Sequence, residues 1–206
     1  MKKDFRIFAL ILALTAFIIV AFLAKSGSFA AVNEWAASCL QKHRGATLTA
    51  VMIAVSAAGA WFTYVPVIIL LLIFKKTKKA GFWAGAALVV SALLNEALKA
   101  VFKIDRPSGE WLVDETGYGF PSGHAMNSMV FAFVLAFLML RDVKSKRKKI
   151  IGGLLAASFV LLVGFSRIYL GVHTLADLMG GYIFGAFFAL LSTLLTDRFC
   201  GSKQKK

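Results

Sequence analysis

Two histidines, an aspartate and a few basic residues set the chemistry available to this chain. His173 and Asp177 stand four apart. On a helix that spacing stacks them on one face, about 6 Å apart along the axis. Asp177 can then accept a hydrogen bond from one imidazole nitrogen, which fixes the tautomer and leaves the other nitrogen as a nucleophile. The same pair also fits a histidine steadied by a carboxylate at a helix N-terminus, with no chemistry. His124 follows Pro121-Ser122-Gly123 at the head of an apolar run. Gly123 lets backbone approach a ligand closely. The amides of a starting helix, with the positive dipole end behind them, form an anion cradle. Ser122 can donate to an anion's oxygen or simply cap the helix. His124, one residue in, is placed to give or take a proton.

Lys99, Arg106 and Arg167 add positive charge. Arginine suits bidentate recognition of phosphate oxygens. Pro107 biases Arg106 away from helix, so its side chain can turn across a site. Any one of these bases is explained by snorkelling to head groups. Three of them converging with two histidines and a helix N-terminus point to a phosphate site. The pattern lacks a metal ligand set: two histidines and one carboxylate fall short of a two-metal phosphatase, and the acids Asp105, Glu110, Asp114 and Glu115 look scattered along a loop. No cofactor is expected. Glu96, one turn before Lys99, reads as its structural ion-pair partner.

The elements that must position these groups are membrane spans. The hydrophobic fraction is 59% and the mean hydropathy +0.77. The apolar residues fall in blocks long enough to cross a bilayer, for which about 20 residues suffice. Period-2 alternation is absent, so the blocks are helices rather than barrel strands. The expected architecture is all-α: a polytopic bundle of six transmembrane helices in one domain over 1–206, with spans near 5–24, 48–74, 81–102, 123–140, 150–165 and 174–196. Pro66 is expected to interrupt the second. The first exceeds the ~7–15 apolar residues of a secretory leader and reads as an uncleaved helix.

A net charge of +14 would suggest nucleic acid in a soluble protein. Here its distribution is topological and no nucleic acid is expected. Most of the 24 Lys and Arg fall at 2–6, 75–79, 141–149 and 198–206, which places both termini in the cytoplasm by the positive-inside rule. Lys99, Arg106, Ser122, His124, Arg167, His173 and Asp177 then all lie at the outer ends of their spans, at one membrane depth. Intramembrane polar groups tend to be functional. Cys39 and Cys200 fall on opposite sides, so no disulfide is expected between them. Residues 25–47 fit either a short interfacial helix or a plain loop, and 103–122 an ordered loop. Gly181 and Gly185 form a small-xxx-small pair suited to close helix packing.

Three segments together resemble the motifs of the type-2 phosphatidic acid phosphatase superfamily. They are Lys99-Ala-Val-Phe-Lys-Ile-Asp-Arg106-Pro107, Pro121-Ser122-Gly123-His124, and Ser166-Arg167-Ile-Tyr-Leu-Gly-Val-His173-Thr-Leu-Ala-Asp177. The resemblance implies a metal-independent lipid phosphatase acting through a phosphohistidine. It would make His173 the nucleophile, Asp177 its orienting partner and His124 the proton donor. Lys99, Arg106, Ser122, Gly123 and Arg167 would hold the phosphoryl oxygens. The substrate it implies is a lipid phosphate in a bacterial cell membrane, first phosphatidylglycerophosphate and alternatively undecaprenyl pyrophosphate. A transporter or channel is the competing class, disfavoured because the polar cluster lies at one face and no inverted repeat or paired helix break is visible.

Overall fold

The computed structural model describes residues 3–200. Among the described residues the regular elements are all helical: α1 (Lys3–Lys25), α2 (Ala30–Gln41), α3 (Ala46–Ala58), α4 (Trp61–Ile73), α5 (Lys78–Phe102), α6 (Gly123–Leu140), α7 (Lys146–Tyr169) and α8 (Leu175–Cys200). Helices α1, α5, α6, α7 and α8 are each long and apolar enough to cross a membrane. The pair α3–α4, bent by 49°, passes the same test only when both helices are taken together, as a broken span or a re-entrant loop. The large side chains facing outward are apolar, among them Phe8, Phe22, Ile69, Leu93 and Leu155. Such a surface belongs against lipid. The basic positions 2, 203, 205 and 206, and the Cys200 side chain, lie outside the described residues. Cys39 carries a free thiol.

The second span breaks at Gly59-Ala60, and Pro66 sits inside α4 instead. Gly59 faces Val163 of α7 so closely that any side chain would collide with it. The chain turns there, and Thr63 Oγ1 donates to the carbonyl of Ala57 at 2.7 Å, satisfying a group the break exposes. The 25–47 segment resolves as a helix rather than a plain loop. Its Asn33 Oδ1 accepts from the Ala176 amide in the first turn of α8 (3.1 Å). Beyond it, Arg44 donates to the Tyr169 carbonyl at the end of α7 and pairs with Glu110.

Helix α6 is central and packs on α5, α7 and α8. One core cluster joins Tyr64, Leu88, Val130, Phe131 and Val134. Another joins Phe17, Phe120, Met126 and Phe184. The seam between α6 and α8 brings the two backbones into close contact. A Cβ at Gly181 would lie 2.7 Å from the Ser122 carbonyl oxygen, and one at Gly185 2.8 Å from that of Met126. The small-residue pair therefore serves backbone contact, as its spacing predicts. Because the two helices touch where α6 begins, the N-terminus of α6 lies beside the first turn of α8.

Candidate active site

His173 lies just before α8 rather than on it, so the helical stacking expected for His173 and Asp177 does not occur. The turn into α8 makes the contact instead. Asp177 Oδ2 meets His173 Nδ1 at 3.3 Å and also accepts from the Thr174 amide at 2.8 Å. The Thr174 hydroxyl accepts in return from the Asp177 amide at 3.2 Å. This is the reciprocal geometry of a capping box. It holds the carboxylate at the helix start, where the dipole favours negative charge. Both side chains are 2% exposed. Burial pushes the His173 imidazole below its usual range, while its hydrogen bond and charge partner Asp177 pull the other way; Arg167 and Arg106 add to the lowering. With Nδ1–H donated to Asp177, Nε2 carries the lone pair.

That lone pair faces Arg106, whose Nη1 lies 3.2 Å from Nε2. The Arg106 side chain is 3% exposed. Its other N–H groups reach the carbonyls of Gly117 (3.1 Å), Val172 (3.0 Å) and Thr116 (2.9 Å) and the Glu115 carboxylate (3.1 Å). All five guanidinium donors are thus engaged. Arg106 staples the 103–122 loop to the segment before α8 and keeps one donor at the focus of the site. Arg167 comes from the last turn of α7. One of its terminal nitrogens meets Ser56 Oγ at 2.5 Å, and the other pairs with Glu115. Its Nε is buried with no partner among the described residues, a donor with nothing to bond.

Glu115 is therefore a group whose role the sequence reading missed. One carboxylate oxygen takes Arg106 and the other takes Arg167. The loop acids are not all scattered; this one bridges the two arginines as a phosphate's oxygens would. Glu96 pairs with Lys99 at 3.4 Å, as expected.

The opposite wall is the start of α6. Ser122 caps the helix, its Oγ accepting from the Ala125 amide at 3.5 Å, and its own amide donates to the Asp177 carbonyl at 3.0 Å. The amides of Gly123 and His124 donate to no acceptor among the described residues, so two N–H groups remain open at this positive end. A Cβ at Gly123 would come 2.9 Å from Asn95 Oδ1. Asn95, buried on α5, donates to the Pro121 carbonyl at 3.1 Å and so braces the turn from below. The His124 ring has no hydrogen-bond partner among the described residues. It lies within electrostatic range of Arg167, His173, Lys99 and Arg106.

The structure thus brings Lys99, Arg106, Ser122, Gly123, His124, Arg167, His173 and Asp177 to one end of the bundle, from α5, α6, α7, α8 and their connections. It adds Glu115, Ser56, Asn95 and Thr174. Of these only Thr174 carried a local signal, the Thr-x-x-Asp capping pattern. Among the described residues no three His, Cys, Asp or Glu gather to hold a metal. The cluster offers a nitrogen lone pair on His173, a second imidazole within electrostatic range of it, open backbone amides and an unsatisfied arginine N–H.

Comparison with known proteins gives four matches. The sequence model described as the PAP2 superfamily matches residues 80–199. The chain is 31% identical to phosphatidylglycerophosphatase B of Bacillus subtilis, over 77% of this chain and 80% of that one. It is 33% identical to an undecaprenyl-diphosphatase of Sulfolobus acidocaldarius, over 71% of this chain and 70% of that one. In structure it resembles the transmembrane PAP2 type phosphatidylglycerolphosphate phosphatase of Bacillus subtilis, with a TM-score of 0.86 at 25% identity, covering 97% of this chain and 100% of the other.

Proposed function

The chain belongs to the PAP2 superfamily and is a multi-pass membrane lipid phosphatase; from that premise we propose that it converts phosphatidylglycerophosphate and water to phosphatidylglycerol and phosphate through a phosphohistidine on His173. The observation that carries the mechanism is the poise of His173, with Nδ1 on Asp177 and Nε2 beside an arginine donor. Arg106, Arg167 and the open Gly123 and His124 amides receive the phosphoryl oxygens, with Lys99 at the rim and the buried Ser122 behind the amides. The Arg106 donor now resting on Nε2 passes to an incoming oxygen, and Nε2 turns to phosphorus. The N–P bond forms as the P–O bond to glycerol breaks. The departing oxygen takes its electron pair and a proton from His124. The ring is then cationic, and Asp177 balances that charge across Nδ1–H. In the second step a water gives its proton to His124 and attacks phosphorus. The N–P bond breaks, phosphate leaves and neutral His173 returns.

The substrate assignment is supported by the match to the Bacillus subtilis phosphatase over nearly the whole of both chains. The likeness to an undecaprenyl-diphosphatase favours a second reading, hydrolysis of undecaprenyl pyrophosphate with undecaprenyl phosphate as the leaving group. The whole chain acts as a single membrane-embedded domain in a bacterial cell membrane. Both termini are cytoplasmic and the site faces outward, a sidedness that rests on the basic residues at 75–79 and 141–149.

The test is turnover by the purified protein on phosphatidylglycerophosphate, phosphatidate and undecaprenyl pyrophosphate in one detergent. Phosphatidylglycerophosphate should give the highest kcat/KM. A higher value for the pyrophosphate would replace the substrate but keep the mechanism. His173→Ala should abolish phosphate release and acid-labile phosphoenzyme; near-normal turnover would refute the nucleophile.

A further inference from the structure

A cavity lies at the far end of the bundle from the catalytic residues. One face of α6 (Met129, Ala132, Ala136, Leu140) and one face of α7 (Gly153, Ala156, Ala157, Leu161) line it, and its volume is about 840 Å³. That falls within the ~300–1,000 Å³ usual for ligand sites. The small residues on both helices leave the space. Phe133 and Leu161 on its lips are exposed, so it opens to the surrounding hydrocarbon. From Met129 to Leu140 the groove runs about 16 Å at 1.5 Å per residue. Half of a ~30 Å hydrocarbon core is about the same length. The groove is therefore one leaflet deep, in the leaflet opposite the catalytic site. Tyr182 closes its inner end, donating to the Val160 carbonyl at 3.0 Å and bridging α8 to α7. The groove does not lead to His173.

Its outer mouth is cationic. Arg6, Arg141 and Lys149 line it. Arg6 pairs with Asp197 at 2.6 Å through one terminal nitrogen, while its Nε is buried without a partner among the described residues. Among the described residues the Arg141 side chain meets only the exposed Asp142, at 3.6 Å. The Lys149 ammonium donates to the Arg141 carbonyl at 3.3 Å. Lys146, Arg147 and Lys148 precede it in the first turn of α7. Orphaned donors at a hydrocarbon boundary demand acceptors, and clustered bases attract anionic head groups.

We propose that this groove is a binding site for an anionic glycerophospholipid of the leaflet opposite the active site. Its phosphodiester sits among Arg6, Arg141 and Lys149, and one acyl chain lies between α6 and α7. Such a lipid ties together the ends of α1, α6, α7 and α8, which Arg6, Arg141, Lys149 and Asp197 occupy. The site is independent of the phosphatase chemistry and is tested by a readout other than turnover.

The experiment uses the purified full chain in detergent with phosphatidylglycerol or phosphatidylcholine carrying the same photoactivatable acyl chain, followed by peptide mapping. Phosphatidylglycerol should label the peptides 129–140 and 153–161 about tenfold more than phosphatidylcholine. The surface double variant Arg141→Gln/Lys149→Gln should erase that preference without altering phosphate release. Ala156→Phe should fill the groove and remove the labelling. Equal labelling by both lipids, or a preference that survives the double variant, would overturn the proposal. So would unlabelled peptides in a protein that runs as a dimer, which would give the groove to a second copy.

Discussion

Asp177 offers the sharpest quantitative test, because one of its oxygens does two jobs. Oδ2 accepts from the Thr174 amide at 2.8 Å and faces His173 Nδ1 at 3.3 Å. In Asp177→Asn the amide oxygen must take that place, since an NH2 group there would meet the Thr174 N–H donor to donor. The tautomer of His173 is then preserved and only the negative charge is lost. A hydrogen bond to a charged group contributes about 1.5–3 kcal/mol and a neutral one about 0.5–1.5. The difference, about 1–2 kcal/mol, corresponds to a fall of roughly 5- to 30-fold in kcat/KM. Asp177→Ala removes the acceptor altogether, frees the ring to take the wrong tautomer and orphans the Thr174 amide. Disrupting the tautomer in a serine protease costs about 10⁴-fold, and a loss of about 10³-fold or more is expected here. Phosphate release from a short-chain lipid phosphate in detergent measures both, with a thermal melt of each variant as the check on folding. If Asp177→Asn is as inactive as Asp177→Ala, the shared-oxygen geometry is wrong. If it loses less than about threefold, under 1 kcal/mol, the charge plays no part in the chemistry.

The depressed imidazole of His173 has two consequences for pH. The acid limb of phosphoenzyme formation should lie below about pH 6.5, the ordinary histidine value; a limb at or above it would contradict a buried neutral nucleophile. Below that pH the unfolded chain binds a proton that the folded one resists. Stability is thus full above about 6.5 and is lost as pH falls, and His173→Gln should flatten the decline of Tm between pH 7 and 5. Glu115→Gln leaves two buried guanidinium groups short of their counter-charge. It should lower Tm by several degrees, since breaking a buried pair costs about 3–5 kcal/mol at most, and tighten vanadate binding several-fold; weaker vanadate binding would mean that Glu115 prepares the arginines for phosphate rather than competing with it. EDTA should leave turnover unchanged while vanadate abolishes it, and loss of activity in EDTA that zinc or magnesium restores would refute a metal-free mechanism.

Much of this was legible in the chain. The run after Ser122 fixes α6 at Gly123–Leu140 because a capping residue precedes unbroken apolar sequence. The motif residues reach one end of the bundle because each sits at the same end of its own span. What was hidden depends on partners remote in sequence. Nothing local to Glu115 distinguishes it from Asp114, and its role appears only when α7 delivers Arg167. Ser56 and Asn95 read as ordinary polar residues in spans until the fold places Arg167 and Pro121 against them. The break at Gly59 was masked by Pro66, the stronger local signal. It is set by Val163, a neighbour more than a hundred positions away.

The glycine seam between α6 and α8 works as a ruler. At Gly181 the gap between the two helices is filled by a single hydrogen atom against the Ser122 carbonyl, so the jaw that carries Asp177 and the jaw that carries the open amides have no travel left toward each other. A clamshell closure of these helices around a head group is sterically spent before it starts. The 103–122 segment and α2 meet the rest of the molecule differently, through side-chain contacts such as those of Arg44 and Asn33 and the backbone bond from the Leu112 amide to the Leu170 carbonyl.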